Sequence, residues 1–138
     1  MAVLQFLYDA DAEGEDPLVA QTVGRVLYTG THDQDTLVGW WSSLGQRPRA
    51  RVRAALGARG IEQDEQGPGW ALVRLALSAP APLAMTQLQD LLGLTSGARM
   101  NTPGRASGNW SWRLERGLLD AELARRLREA TEQAGRLA

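Results

Sequence analysis

Apolar positions along the chain follow two different periods. Val3 to Tyr8 is a short, mostly apolar run that predicts a buried strand. Val23 to Thr29, rich in β-branched and aromatic residues, predicts a second strand. The acidic stretch between them (Asp9, Asp11, Glu13, Glu15 and Asp16) reads as loop, with Gly14 and Pro17 as breakers. Asp9 to Gln21 is about the shortest crossover that joins two parallel strands, which takes about a dozen residues. After Gly30 the period changes. Leu37, Trp40, Trp41 and Leu44 fall on one face of a helix, with Asp33 or Asp35 placed to cap its start and Gly45 to end it. Pro48 suits the first turn of a second helix, closed by Gly57 or Gly60. Ile61 to Gly67 is polar loop. Pro68 opens a third helix, Gly69 to Ser78, apolar almost all round apart from Arg74, which predicts burial on most sides.

Pro80 and Pro82 then break the chain, and Leu83 to Leu88 predicts a third strand. Thr95 to Asn109 has no period and is punctuated by Gly97, Pro103, Gly104 and Gly108, the signature of a functional or disordered loop. A last helix runs from Asp120. Leu119, Leu123 and Leu127 line one face, and Glu122 with Arg126 and Glu132 with Arg136 are spaced as i,i+4 pairs. The order is β, β, α, α, α, β, loop, α: an α/β chain with a parallel sheet. Three parallel strands with helices on one side do not close a core, because such strands need covering on both faces. The pattern predicts a piece of a larger sheet, with open edges and poor solubility when alone.

Composition narrows the chemistry. The chain has 138 residues, 43 % of them hydrophobic and 22 % charged, enough for one cored domain. It has no Cys, which removes disulfides, thiol nucleophiles and cysteine-ligated zinc, and one His, which removes a multi-histidine metal site. The length excludes a complete (β/α)8 barrel, which needs about 200 residues or more. No apolar run reaches the ~18 residues that suggest a membrane span. There are 15 basic residues, all Arg, against 16 acidic ones, so no basic balance favours nucleic acid. Arg47, Arg49, Arg51 and Arg53 alternate and splay around a helix rather than forming one stripe, as on a solvated surface. The start carries no basic segment followed by an apolar one, so the cytoplasm is the expected location.

Two polar segments follow predicted strands. Thr29, Gly30, Thr31, His32, Asp33, Gln34, Asp35 and Thr36 sit where the second strand ends and a helix begins. In parallel α/β folds the carboxyl ends of strands carry active sites. Helix capping by Thr31, Asp33 or Asp35 explains the same residues without a site. A calcium loop fits poorly, since Val38 stands where its sixth-position Gly belongs. The loop from Gly97 to Trp110 follows the third strand. It lacks the Gly-Lys-Ser/Thr of a phosphate loop, and neither Ser96 nor Ser107 sits in a G-x-S-x-G elbow. Both loops at one end of a parallel sheet would share a cleft. Trp40 and Trp41 are adjacent, so only one faces squarely inward. Trp110 and Trp112 share a face if extended, where they either pack or offer platforms for sugar rings.

The run TGTHDQDT (Thr29 to Thr36), followed by Gly39-Trp40-Trp41, resembles the 4-α-glucanotransferases, also called amylomaltases or disproportionating enzymes. QDLLGL (Gln89 to Leu94), ARMNTPG (Ala98 to Gly104) and ASGNWSWRL (Ala106 to Leu114) resemble the same family in the same order, and Val3-Leu4-Gln5-Phe6 resembles a further block. Gln34 departs from the family's usual Asn, and Gln87 stands where a Pro is expected before the Gln-Asp pair.

The resemblance implies that residues 1–138 are the C-terminal part of one catalytic (β/α)8 barrel, without a second domain. Val3 to Phe6 would be strand six, Val23 to Thr29 strand seven and Leu83 to Leu88 strand eight. It implies retaining transfer of α-1,4-glucan segments between maltodextrins, with no metal or organic cofactor. An Asp nucleophile takes a glucan, a Glu acts as acid and then base, and a third Asp beside a His grips the sugar at the scissile bond. Asp33 matches that third Asp and His32 its neighbour; Phe6 and Asn101 match positions that wall the cleft. The nucleophile and acid/base follow strands four and five and match nothing in this chain. The expected partners are a maltooligosaccharide or α-glucan and the N-terminal part of the barrel. The chain alone is expected to be inactive. The alternative is a non-enzymatic α-glucan-binding module that uses Trp110, Trp112 and the 97–109 loop.

Overall fold

A core segment of ten residues organises the rest. In the computed structural model, which describes residues 1–9, 15–63 and 67–137, helix α5 (Pro68–Leu77) buries Ala71, Leu72, Val73 and Leu75 completely. Pro68 starts it at a position where the missing N–H costs nothing. Around it pack α3 (Leu37–Ser43), α4 (Gln46–Gly57), α6 (Leu88–Leu91) and α7 (Ala121–Gln133). The all-round apolar pattern of this helix thus has the central placement that it predicts.

The sheet is small and wholly parallel, in the order β1 (Ala2–Val3), β2 (Val26–Tyr28), β3 (Leu83–Met85). Ala2, Leu27 and Ala84 are in register and belong to, or pack against, the helical core. Val3, Tyr28 and Met85 are in register on the opposite face, where Leu83 and Met85 are 51 % and 45 % exposed. Helices therefore cover one face of the sheet, and the other is largely bare. Parallel sheets are otherwise buried on both sides. Among the described residues, no helix is long and apolar enough to cross a membrane.

The strand expected over Val3 to Tyr8 is a correction. Only Ala2 and Val3 pair, and Leu4–Asp9 is a helix, α1. Leu4, Leu7 and Tyr8 are buried and Phe6 is 58 % exposed, which is the helical spacing, not the alternate one. A six-residue apolar run does not separate these periods by itself. The strand expected over Val23 to Thr29 shortens to Val26–Tyr28, because Pro17–Thr22 forms a helix, α2, in part of the expected loop. The Asp16 carboxylate caps it by accepting from Leu18 N at 3.0 Å. The strand expected over Leu83 to Leu88 ends at Met85, since Leu88 already starts α6. Asp11, Glu13 and Gly14 of the acidic stretch lie outside the described residues.

Two partnerships fasten the helices. Asp16 also accepts from the Tyr8 hydroxyl at 2.9 Å and from Arg59 Nη1 at 2.6 Å. Burial alone would raise the Asp16 carboxyl, but these bonds and the Arg59 charge hold it below the usual carboxylate range. Trp40 faces inward and donates its indole N–H to Asp9 Oδ1 at 2.8 Å, while Trp41 lies between Arg49 and Arg53. On α7 the acids find partners at i,i+3 and i,i+4 spacing. Arg125 bonds both Glu122 and Glu129, and Arg128 pairs with Glu132. Arg126 covers the Trp70 ring at 4.3 Å, and Arg136 donates to the carbonyls of Leu77 and Ala79. Both cations thereby dock α7 onto the buried helix and its C-terminal end.

Candidate functional site

Both polar segments identified in the sequence leave the sheet at the same end. The first follows β2 and runs from Thr29 to Thr36; the second follows β3 and α6 and includes a 3-10 turn at Ser96–Ala98. A cavity of about 500 Å³ opens between them, lined by Tyr28, Thr31, His32, Thr86, Gln87 and Met100 among others. Tyr28 and Met85 bring the bare sheet face into its wall.

Asp33 is where the loops meet. Asn101 Nδ2 donates to Asp33 Oδ1 at 2.6 Å, and His32 Nε2 lies 3.3 Å from the same oxygen. Asn101 N donates to the His32 carbonyl at 3.1 Å, and Arg99 Nη2 donates to the Asp33 carbonyl at 2.9 Å. The side chains of His32 and Asp33 remain 54 % and 44 % exposed, so they are available to a ligand. The Trp110 ring tilts against His32 with centroids 5.0 Å apart. Trp110 holds a left-handed φ of 60°, which costs a residue with a Cβ about 1–2 kcal/mol. Its N–H, bonded to the Met100 carbonyl at 2.6 Å, helps to hold that turn.

Beside Asp33 the loop is strongly braced. Gln34 Oε1 accepts from Thr31 N at 2.8 Å and from Thr31 Oγ1 at 2.6 Å, closing the turn on itself. Asp35 accepts from Ser96 Oγ at 2.8 Å, and the Asp35 carbonyl accepts from Gln5 Nε2 at 2.7 Å. A Cβ at Gly30 would lie 2.9 Å from Gln5 Nε2 and would displace the side chain that bonds the Asp35 carbonyl. The cap of α3 is neither Asp33 nor Asp35 but Thr36, whose Oγ1 accepts from Gly39 N at 3.1 Å. This leaves Asp33 uncommitted to the helix.

His32, Asp33 and Asn101 are thus brought together, and the two loops share one cleft. Of the four predicted site residues only His32 lines the cavity; Asp33 and Asn101 sit beside it at the His32 end, and Phe6 is exposed on α1 away from that cluster. Arg99, Ser96 and Asp90 also contribute, in roles that the sequence does not reveal. Asp90 is 1 % exposed and accepts from Thr29 Oγ1 at 2.7 Å and from Leu37 N at 2.8 Å. Burial pushes its carboxyl above the usual range, and the nearby Asp35 adds to this, although the bonds from Leu37 and Thr29 work against the rise. Among the described residues no group of three or more His, Asp or Glu is arranged to hold a metal ion. The arrangement instead presents a carboxylate, an imidazole and an amide, which suits recognition of a hydroxyl-rich ligand.

The match to known proteins covers nearly the whole chain. A family model described as 4-alpha-glucanotransferase matches residues 1–120. The chloroplastic/amyloplastic 4-alpha-glucanotransferase of Solanum tuberosum is 43 % identical over 99 % of this chain and 24 % of its own length. The 4-alpha-glucanotransferase of Thermus thermophilus is 43 % identical over 99 % of this chain and 28 % of its own. The structure of an amylomaltase from Streptococcus agalactiae in complex with acarbose superposes with a TM-score of 0.86 at 25 % identity, covering 100 % of this chain and 27 % of that one. The chain therefore spans about a quarter of the length of these relatives.

Proposed function

Because the chain belongs to the 4-alpha-glucanotransferase family, we propose that it forms one wall of a cytoplasmic glucanotransferase active site in which Asp33 grips the donor sugar. On this reading residues 1–138 are the C-terminal part of a (β/α)8 barrel, and β1, β2 and β3 are its strands six to eight. The bare sheet face supports this, because a barrel strand packs helices outside and side chains inside.

The reaction proceeds by two displacements. A nucleophilic Asp and an acid/base Glu belong to earlier strands, and no residue of this chain takes either role. Asp33, with His32 beside it, bonds the ring hydroxyls at the scissile linkage. Those bonds strengthen as the oxocarbenium-like state develops, an effect worth several kcal/mol in glycosidases. Asn101 orients Asp33 through its amide; Phe6, exposed on α1, would meet the sugar only outside the cavity between the two loops. The acceptor is a glucan 4-hydroxyl rather than water, and no metal or organic cofactor enters the scheme.

The single observation carrying this reading is the convergence of two loops on one half-exposed carboxylate. Trp110 joins the same cluster, which favours one active site over a separate sugar-binding platform. The test is a chimera with residues 1–138 in place of the matching 28 % of the Thermus thermophilus relative. It should convert maltotriose to glucose and longer glucans, and Asp33→Asn should remove that activity with folding intact. A soluble, folded chimera without transfer, or one indifferent to Asp33→Asn, overturns the reading.

A further inference from the structure

The loop carrying His32 and Asp33 begins at Thr29 and ends at Leu37, and one side chain from elsewhere touches both ends. Asp90 Oδ2 accepts from Thr29 Oγ1 at 2.7 Å, and Asp90 Oδ1 accepts from Leu37 N at 2.8 Å. We propose that Asp90 is the positioning residue for Asp33: a single buried carboxylate fixes the span of the loop that presents the sugar-gripping group. The proposal rests on the function given above for Asp33, but the geometry of the hold does not.

The chemistry of the position selects a carboxylate. Two donors point at it from opposite ends of the loop, and a carboxylate offers an acceptor oxygen to each, whereas an amide offers one. Leu37 N is the first amide of α3, one of the donors that a helix cannot satisfy internally. Thr29 Oγ1 in turn accepts from Gln87 N at 3.4 Å, so the β2 end is wired to the start of α6. Asp90 is itself seated there by its own N–H, which donates to the Gln87 carbonyl at 3.0 Å. At 1 % exposure Asp90 cannot meet a sugar, so any effect on turnover passes through the loop. Ser96, Arg99 and Asn101 reach the middle of that loop from the other side. Ends and middle are therefore held by different elements, and the Asp90 hold can be removed without touching Asn101.

Thr29→Val keeps the shape and removes the donor; Thr29→Ser keeps the hydroxyl. In the chimera, Thr29→Val and Asp90→Asn should each lower kcat at least about tenfold, as expected for a misplaced reacting group. KM should stay within about twofold, the split expected of an interaction that acts mainly in the transition state. Thr29→Ser should keep kcat, and the double variant should be little worse than Asp90→Asn alone, because the loss at Asp90 already includes the bond to Thr29. Unchanged kcat, equal losses in kcat and 1/KM, or additive losses overturn the proposal. A second measurement needs no activity. In the 138-residue chain, amide hydrogen exchange over 30–37 should quicken in Asp90→Asn while α5 keeps its protection. Unaltered exchange over 30–37 overturns the hold itself. An inactive unsubstituted chimera would count against the function of Asp33, and the exchange result would still decide for or against Asp90.

Discussion

Asn101 and Asp33 stand 68 positions apart in the chain, yet Nδ2 of one donates to Oδ1 of the other at 2.6 Å. The bond spans two loops and aims a carboxylate that stays half open to solvent. Removing this donor should leave Asp33 present but badly aimed. In the chimera Asn101→Ala should lower kcat for maltotriose about tenfold to a hundredfold. Asn101→Asp should be worse, because it sets a second carboxylate against the first. Initial rates of glucose release check both, and an Asn101→Asp variant as fast as Asn101→Ala would remove the electrostatic part of the argument.

Gly39 and Gly57 make a matched pair of alanine substitutions. A Cβ at Gly39 would run into Ser96 Oγ and the Asp35 carboxyl, so Gly39→Ala should break the Ser96–Asp35 contact and lower the melting midpoint. Gly57 closes α4 with nothing within 4 Å of such a Cβ. Gly57→Ala should stabilise by about 0.4–1 kcal/mol, mainly by restricting the unfolded chain. Urea unfolding of both variants gives the two signs.

Asp16 and Asp90 should respond to pH in opposite directions. Asp16 has a lowered folded pKa, so its contribution is complete above the unfolded value near ~3.9 and is lost as pH falls through the folded one. Asp90 has a raised folded pKa, so its contribution is complete below ~3.9 and is lost as pH rises through the folded one. The deficit of Asp16→Asn against the unsubstituted chain should therefore shrink on acidification, and that of Asp90→Asn should grow. Unfolding curves between about pH 3 and pH 7 test this, and deficits of the same sign of slope would contradict it.

The bare sheet face should dominate the behaviour of the isolated chain. It should bind a hydrophobic dye, associate as concentration rises, and show no transfer on maltotriose. Leu83 and Met85 are 51 % and 45 % exposed, so Leu83→Gln with Met85→Gln should reduce association while shifting stability by no more than about 0.5 kcal/mol per site. Sedimentation and dye fluorescence measure the first effect. A monomeric chain with no dye binding would mean the face is covered by other means.

Much of the architecture is legible in the residues. The Gly69–Ser78 segment, apolar apart from Arg74, the helix after Asp120 and the break at Pro80 and Pro82 all mark real features, because periodicity and punctuation are local signals. Val3 to Tyr8 misleads because its apolar run is too short to show a period, and only burial separates Phe6 from Leu4, Leu7 and Tyr8. The same limit applies to the site. His32 and Asp33 stand out as polar residues at a strand end, and the 97–109 segment as a loop without period. Asp90 and Arg99 lie in the QDLLGL and ARMNTPG blocks, yet neither block says what they bind. Their roles depend on partners 61 and 66 positions away. The substituted Gln34 is likewise explained only by geometry, where it closes the Thr31 turn.

That distance along the chain also sets an order of events. On a ribosome His32 and Asp33 emerge while Asp90 and Asn101 have still to be synthesised, and the intervening residues include α3, α4 and α5. Contacts of such long range require the stretch between them to collapse first, since closing the loop costs entropy before any bond repays it. A nascent chain that stalls after α5 would carry a complete hydrophobic helix beside a loop with neither of its anchors. The Asp33 carboxylate is thus made before the residues that anchor its loop, and it finds its place only after they have been made.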